Sequence, residues 1–398
     1  MRKALLLLLW MMVCVPLGAQ TTHRDSLIAQ SRYLRSVLRT DEAIGLLSTL
    51  VTPGRMDVEV LSELADCHFQ SGNYEDAAGL YNMLSLQNPG NLLFKLRKMQ
   101  IFYRVKAWRQ TVEAGKEVLA LDTIPAVLGY VGDGFKQLEQ ADSALWYYRR
   151  SLALKPQNAA TVSKVFDILV GRDAFEEAIA LTSAYLEKDP DNPVVAPLCG
   201  LAHYRKGEYD TAAAIFERQL ELGNDTYPIH YYLGQSYWHT TRAYRADKEL
   251  LAAWQIDSSD VTLAYNIAAL RTDLMFPFEK VQPWVDRAWE MSQPDNKMLF
   301  QLHRLYAQGF SHNPKEAARA LRHYEEAYRL NPKYKQAFLQ MGYLYERQEE
   351  KRKAIECYER FLKEAGPQHD RSRWVRERIT ALKAEEFMQS PDREPPDT

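Results

Sequence analysis

The residues best able to do chemistry are nine histidines and four cysteines, and their spacing does not assemble a reacting centre. His68 and His203 occupy equivalent places in two similar segments, ADCHFQSGNYEDAAGLYNMLSLQNP (65–89) and AHYRKGEYDTAAAIFERQLELG (202–223). A shared packing role accounts for both. His230 and His239 are near each other, but no close pattern of Asp, Glu or Cys completes a ligand set. His303, His312 and His323 are spread over a loop and two helices, where metal binding is the alternative to a structural role. Cys67, Cys199 and Cys357 are far apart, and no C-x-x-C serves redox work or zinc. There is no G-x-S-x-G, H-E-x-x-H, G-K-[ST] or G-x-G-x-x-G. VGDGF at 131–135 falls in a helical pattern, where its glycines suit packing rather than a phosphate cradle. Carboxylates are numerous but no pair stands out. The expectation is no catalytic residue, no metal, no cofactor and no enzyme activity.

The elements that carry these residues repeat. With a count of about 34 residues started at 58, Leu64 and Ala65 fall at positions 7 and 8. Gly72 is then at 15, Tyr74 at 17, Ala77 at 20, Tyr81 at 24 and Pro89 at 32. A start at 193 puts Cys199, Gly200, Gly207, Tyr209, Ala212 and Phe216 at the matching places. The unit from 125 has Gly132 at 8, Ala144 at 20 and Tyr148 at 24. The unit from 335 has Met341, Gly342, Tyr345, Ala354 and Tyr358. Small residues at 8 and 20 let two antiparallel helices approach, and large ones at 7, 17 and 24 fill the grooves around them. Gly at 15 supplies a tight turn, and Pro at 32 ends the second helix. No alternating strand pattern or Gly/Ser/Pro-rich linker interrupts the chain.

This spacing resembles the tetratricopeptide-repeat (TPR) family over about residues 24–368, in nine or ten units. The resemblance implies an all-α, right-handed superhelical solenoid of antiparallel helix pairs. Residues 272–315 are its irregular part, with loops expected at 272–283 and 309–315. Residues 369–389 are expected to form a C-terminal capping helix, and 390–398 a disordered tail. The resemblance also implies a concave face lined by positions 2, 5, 9, 12 and 13 of each first helix. The candidate partner-binding residues are therefore Leu201, Tyr204, Arg205, Tyr231, Gln235, Trp238, His239 and Tyr265. Rings of this kind, exposed in a groove, are typical interface anchors. They could instead cover neighbouring helices. The Lys and Asn set with which some TPR adaptors grip a C-terminal carboxylate is absent; Asn266 stands without it.

Lys and Arg number 50 against 52 Asp and Glu. That balance makes no electrostatic case for nucleic acid. Met1-Arg2-Lys3 followed by ALLLLLWMMVCV (4–15) and a small-residue stretch ending at Ala19 reads as a cleaved secretory signal over 1–19, carrying Cys14 away with it. The run is shorter than a bilayer span, and no later segment is a transmembrane candidate. Residues 20–368 then form an exported solenoid. The expected function is a protein-interaction scaffold or adaptor of the cell envelope, in the periplasm. Secretion or peripheral attachment to the outer membrane are the alternatives. A glycan- or peptidoglycan-binding module, a helical-solenoid hydrolase and self-association through the concave face are the rival readings.

Overall fold

The computed structural model describes residues 17–389 except Pro53, Gln293 and Pro294. Residues 1–16 of the expected signal and the whole 390–398 tail lie outside the described residues. Two compact units divide the chain, one ending at Pro190 and the other starting at Asp191. Each is all-α. Among the described residues the only extended pairing is an isolated bridge between Thr52 and Arg55.

Among the described residues the first unit holds five helix pairs: α1 (Leu17–Ser36) and α2 (Thr40–Ser48), α3 (Val58–Ser71) and α4 (Tyr74–Gln87), α5 (Leu92–Arg104) and α6 (Trp108–Leu119), α7 (Pro125–Gln137) and α8 (Ala141–Leu154), α9 (Ala159–Val170) and α10 (Phe175–Leu186). The second holds five more: α11 (Val195–Lys206) and α12 (Tyr209–Glu221), α13 (Tyr227–Trp238) and α14 (Ala243–Ile256), α15 (Val261–Asp273) and α16 (Phe278–Met291), α17 (Asn296–Ser311) and α18 (Ala317–Leu330), α19 (Gln336–Arg347) and α20 (Lys351–Ala365). A single helix, α21 (Ser372–Gln389), follows. The architecture is a solenoid of paired antiparallel helices. Several first helices start on a side-chain cap that satisfies otherwise orphaned amides. Asp57 accepts from Val60 N, Asn91 from Leu93 N and Phe94 N, and Asp260 from Thr262 N and Leu263 N.

The turn inside a pair has a recurring form. The sequence places Gly at position 15, and Gly72 and Gly207 adopt the left-handed backbone there, at φ 87° and 88°. Leu38, Lys106, Glu139, Asp173, Met275 and Glu349 stand at the same position in other pairs and are left-handed too. In each case the following amide reaches back five residues to a helical carbonyl, as Asn73 N does to His68 O and Ala107 N to Phe102 O, both at 2.9 Å. This Schellman closure satisfies the helix end and holds even side chains with a Cβ in the disfavoured region.

Between the helices of a pair, position 8 meets position 24. Tyr148 and Tyr358 are fully buried, Tyr148 over Gly132 and Tyr358 over Gly342. A Cβ built on either glycine would stand 2.5 Å or less from the ring. The buried hydroxyls find carboxylates at the rim: Tyr81 donates to Asp66 at 2.5 Å, Tyr148 to Asp133 at 2.7 Å, and Tyr358 to Glu346. The Gly132–Tyr148 and Gly342–Tyr358 contacts thus combine a dry ring-on-backbone approach with one satisfied polar atom.

The stretch 272–315 is more helical than the loops expected at 272–283 and 309–315. Only 274–277 separate α15 from α16, and α16 continues through Pro283. Pro283 is the sixth residue of α16, past the amides that lack an intrahelical partner, so its missing N–H costs the helix one bond. Gly309 lies inside α17 rather than in a loop. A Cβ there would meet the Phe278 ring at 2.0 Å, so glycine is what lets α16 and α17 approach. The VGDGF glycines sit in α7, with Gly132 under Tyr148 and Gly134 against Val112.

Candidate partner-binding face

All eight expected groove residues lie in the second unit, seven of them on the successive first helices α11, α13 and α15 and His239 at the C-terminal cap of α13. Tyr204 on α11 stands edge-on to Tyr209, with centroids 5.6 Å apart, and tilts against Tyr232 of α13 at 5.4 Å. Tyr231 stacks on Tyr227 at 5.7 Å and meets Tyr232 edge-on at 5.1 Å. Its hydroxyl accepts a hydrogen bond from Asn266 Nδ2 of α15 at 3.0 Å. Trp238 Nε1 donates to Asp273 Oδ2 at 3.1 Å, again from α13 to α15. Tyr265 donates to Gln301 Oε1 of α17 at 3.4 Å. His239 stacks on Tyr209 at 4.5 Å. Leu201 is half-buried and Arg205 exposed.

Tyr204, Tyr231, Trp238 and Tyr265 are all half-buried against the core. These residues pack against neighbouring first helices while each keeps part of its surface exposed. Burial raises the pKa of the Tyr204 and Tyr265 hydroxyls and pushes Tyr231 up to about 12, so all three remain protonated at neutral pH. Gln235 is the exception on this face. It is only 5 % exposed, and its buried Nε2 has no hydrogen-bond partner among the described residues. An unsatisfied buried amide costs about 1–3 kcal/mol.

Further along the unit, a polar cavity of about 550 Å³ is lined by Arg304, Gln308, Tyr324, Tyr334, Gln336 and Gln340. The Arg304 guanidinium lies over the Phe300 and Tyr334 rings and donates to Gln301 at 2.9 Å, while its buried Nε has no partner. Sequence reasoning missed this cavity because the α16–α17 irregularity displaces the repeat count that identified the other face residues.

The histidines have different partners. His203 Nδ1 lies 2.6 Å from Glu208, and His230 bridges Glu249 and Asp225 at 2.7 and 2.6 Å. His303 and His323 meet through their Nδ1 atoms at 2.9 Å, a contact no spacing rule foretold. His312 instead approaches the Gln308 carbonyl. No group of three or more His, Cys, Asp or Glu among the described residues is placed to hold a metal ion. Cys67, Cys199 and Cys357 are buried free thiols, and burial raises Cys67 and Cys357 to about 11. No helix of the described residues is long and apolar enough to cross a membrane.

A solenoid of paired antiparallel helices generally mediates protein–protein interaction through a groove. Models of the tetratricopeptide repeat match residues 28–90, 198–226 and 336–365. Among curated proteins the chain is similar to RNA polymerase-associated protein CTR9 of Saccharomyces cerevisiae, 22% identical over 39% of this chain and 17% of that protein. It is also similar to human protein O-mannosyl-transferase TMTC1, 22% identical over 42% of this chain and 20% of that protein. The matched part is thus a fifth or less of the length of these two relatives. A solved tetratricopeptide repeat protein from Parabacteroides merdae aligns over 62% of this chain and 98% of its own, at 12% identity and a TM-score of 0.41.

Proposed function

We propose that the chain is an exported interaction scaffold of the cell envelope, working in the periplasm, whose second unit holds a protein segment against the face formed by α11, α13 and α15. The observation that carries this reading is the row of half-buried rings, Tyr204, Tyr231, Trp238 and Tyr265. Half-covered rings present apolar area for a partner's side chains. Asn266, Asp273 and Gln301 already serve the rings, so the polar ladder that a sugar would use is largely engaged. A protein segment is favoured over a glycan for that reason. The export part rests on Arg2-Lys3 and the apolar run that follows.

The test is crosslinking in cells, followed by recovery from the native envelope with wild type and with Tyr231→Ala/Trp238→Ala. A protein recovered with the wild type and lost with the folded variant supports the reading. Identical recovery from both forms would count against this face. Lost helicity in the variant would mean that the rings serve the solenoid alone. N-terminal sequencing of the mature chain checks the export step, which predicts a start at Gln20.

A further inference from the structure

The first unit contains a cavity of about 560 Å³ between successive first helices, lined among others by Phe69 of α3, Tyr103 and Arg104 of α5, Lys106 in the α5–α6 turn, Trp108 of α6 and Tyr130 of α7. Its aromatic wall is ordered. Tyr103 stands edge-on to Trp108 at 5.7 Å and to Tyr130 at 4.6 Å. Its hydroxyl is fastened to Asp133 at 2.9 Å.

The charges are one-sided. No carboxylate lines the cavity. The nearby acids are already engaged: Asp133 by Tyr103, Tyr148 and Lys164, and Asp66 by Tyr81 and, at longer range, by Arg35 and Arg97. Arg104 lies 5.7 Å from the Phe69 ring centroid and 6.0 Å from that of Tyr74. Stacking of this kind occupies the guanidinium face and leaves its N–H edge for an anion. Neither Arg104 nor Lys106 forms an ion pair with any described residue, and the Trp108 and Tyr130 donors have no hydrogen-bond acceptor among them. An adjoining cleft of about 330 Å³ shares Phe69 and Arg104 and adds the guanidinium groups of Arg35 and Arg97 together with the carboxylate of Asp66 that they flank.

We propose that this cavity is a second binding site, separate from the ring-lined face of the other unit, and that it takes an acidic linear segment of a protein partner. A Glu or Asp side chain pairs with Arg104 and Lys106, and an adjacent aromatic or aliphatic side chain enters between Phe69, Trp108 and Tyr130. Charge complementarity identifies the occupant: two unpaired cations above an apolar wall attract an anion that carries apolar surface, and repel a basic one. Because both cations are exposed, binding weakens as salt rises.

The probe is a fluorescein-labelled nonapeptide, capped at both ends, with a central phenylalanine flanked by two glutamates on each side. Its counterpart carries glutamines in place of the glutamates. Fluorescence anisotropy with the full chain is expected to show at least tenfold tighter binding of the glutamate peptide. Arg104→Gln/Lys106→Asn should reduce binding to the level of the glutamine peptide, with an unchanged circular-dichroism melt. Asn is chosen because it tolerates the left-handed backbone at 106. Tyr231→Ala/Trp238→Ala should leave the affinity unaltered, which separates this site from the face proposed above. Equal affinity for the two peptides, no measurable binding of either, indifference to the Arg104/Lys106 changes, or loss with the Tyr231/Trp238 changes would each overturn the proposal.

Discussion

The ring of Tyr148 lies so close over Gly132 that a Cβ on residue 132 would stand 2.5 Å from Tyr148 Cε1. Three residues earlier on the same helix, Gly129 has nothing within 4 Å of the corresponding point. Two Gly→Ala changes in one helix should therefore have opposite signs. Gly132→Ala overpacks a fully buried ring and is expected to cost about 1–3 kcal/mol. Gly129→Ala meets no obstacle and is expected to stabilise by about 0.5–1 kcal/mol through helix propensity. Thermal or urea unfolding of the two variants beside the wild type measures both.

Asp133 gathers three donors from three helices: Tyr103 at 2.9 Å, Tyr148 at 2.7 Å and Lys164 at 2.8 Å. Asp133→Ala strands the buried Tyr148 hydroxyl and is expected to cost about 1–3 kcal/mol. Tyr148→Phe in the Asp133→Ala background should then cost little more, since the bond is already lost. A double-mutant cycle from urea unfolding checks the coupling, and simple additivity would show that the contact contributes little.

Met275 is 89 % exposed and holds φ at 55° between α15 and α16. Its side chain gives almost no packing in return for a strained backbone. Met275→Gly is expected to stabilise by about 0.5–1 kcal/mol, because relief of the left-handed strain exceeds the added freedom of the unfolded chain. The reverse change at the same turn position, Gly207→Ala, is expected to destabilise by about 1 kcal/mol. Matching shifts in Tm test the pair.

The His303–His323 contact makes stability depend on pH. Burial, then the neighbouring His303, then Arg319 and Arg322 lower the His323 pKa to about 4, with Glu326 opposing; burial also lowers His303, where Glu326 and Arg329 are the charges it feels. In the unfolded chain a histidine binds its proton near pH 6.5. Between those values the unfolded state holds more protons, so stability present above about pH 6.5 is lost as pH falls toward 4. The group is partly solvated, which reduces the effect to about 1 kcal/mol, or about 2–4 °C in Tm. Melting curves from pH 7 to 4.5 should flatten in His323→Phe, a change that retains the stacking against Tyr306 and Phe310.

Much of the fold was legible because its packing rule is local in sequence. Small residues at 8 and 20 and a ring at 24, as in Gly132, Ala144 and Tyr148, identify a helix pair before any coordinate exists. The turns were only half legible. Gly72 and Gly207 announced a left-handed residue, while Leu38, Lys106, Glu139, Asp173, Met275 and Glu349 adopt it without that signal. The reason is that the Schellman hydrogen bonds are made by backbone atoms, which are the same for every residue type. Around Gly309 the count failed, since a glycine that looks like a loop residue is there to admit Phe278.

By itself the sequence determined the helix-pair period and the small-against-large contacts, and it proposed Tyr204, Tyr231, Trp238 and Tyr265 as face residues. Only the tertiary structure decided what those side chains do. It ties Tyr231 to Asn266, Trp238 to Asp273 and Tyr265 to Gln301, leaves the Gln235 amide idle, and brings His303 to His323. It also leaves Arg104 and Lys106 without carboxylate partners among the described residues, while Asp133 and Asp66 are engaged elsewhere. Periodicity records which face a residue occupies; hydrogen bonds and ion pairs depend on which residue of a different helix stands opposite, and that is set by how the pairs stack.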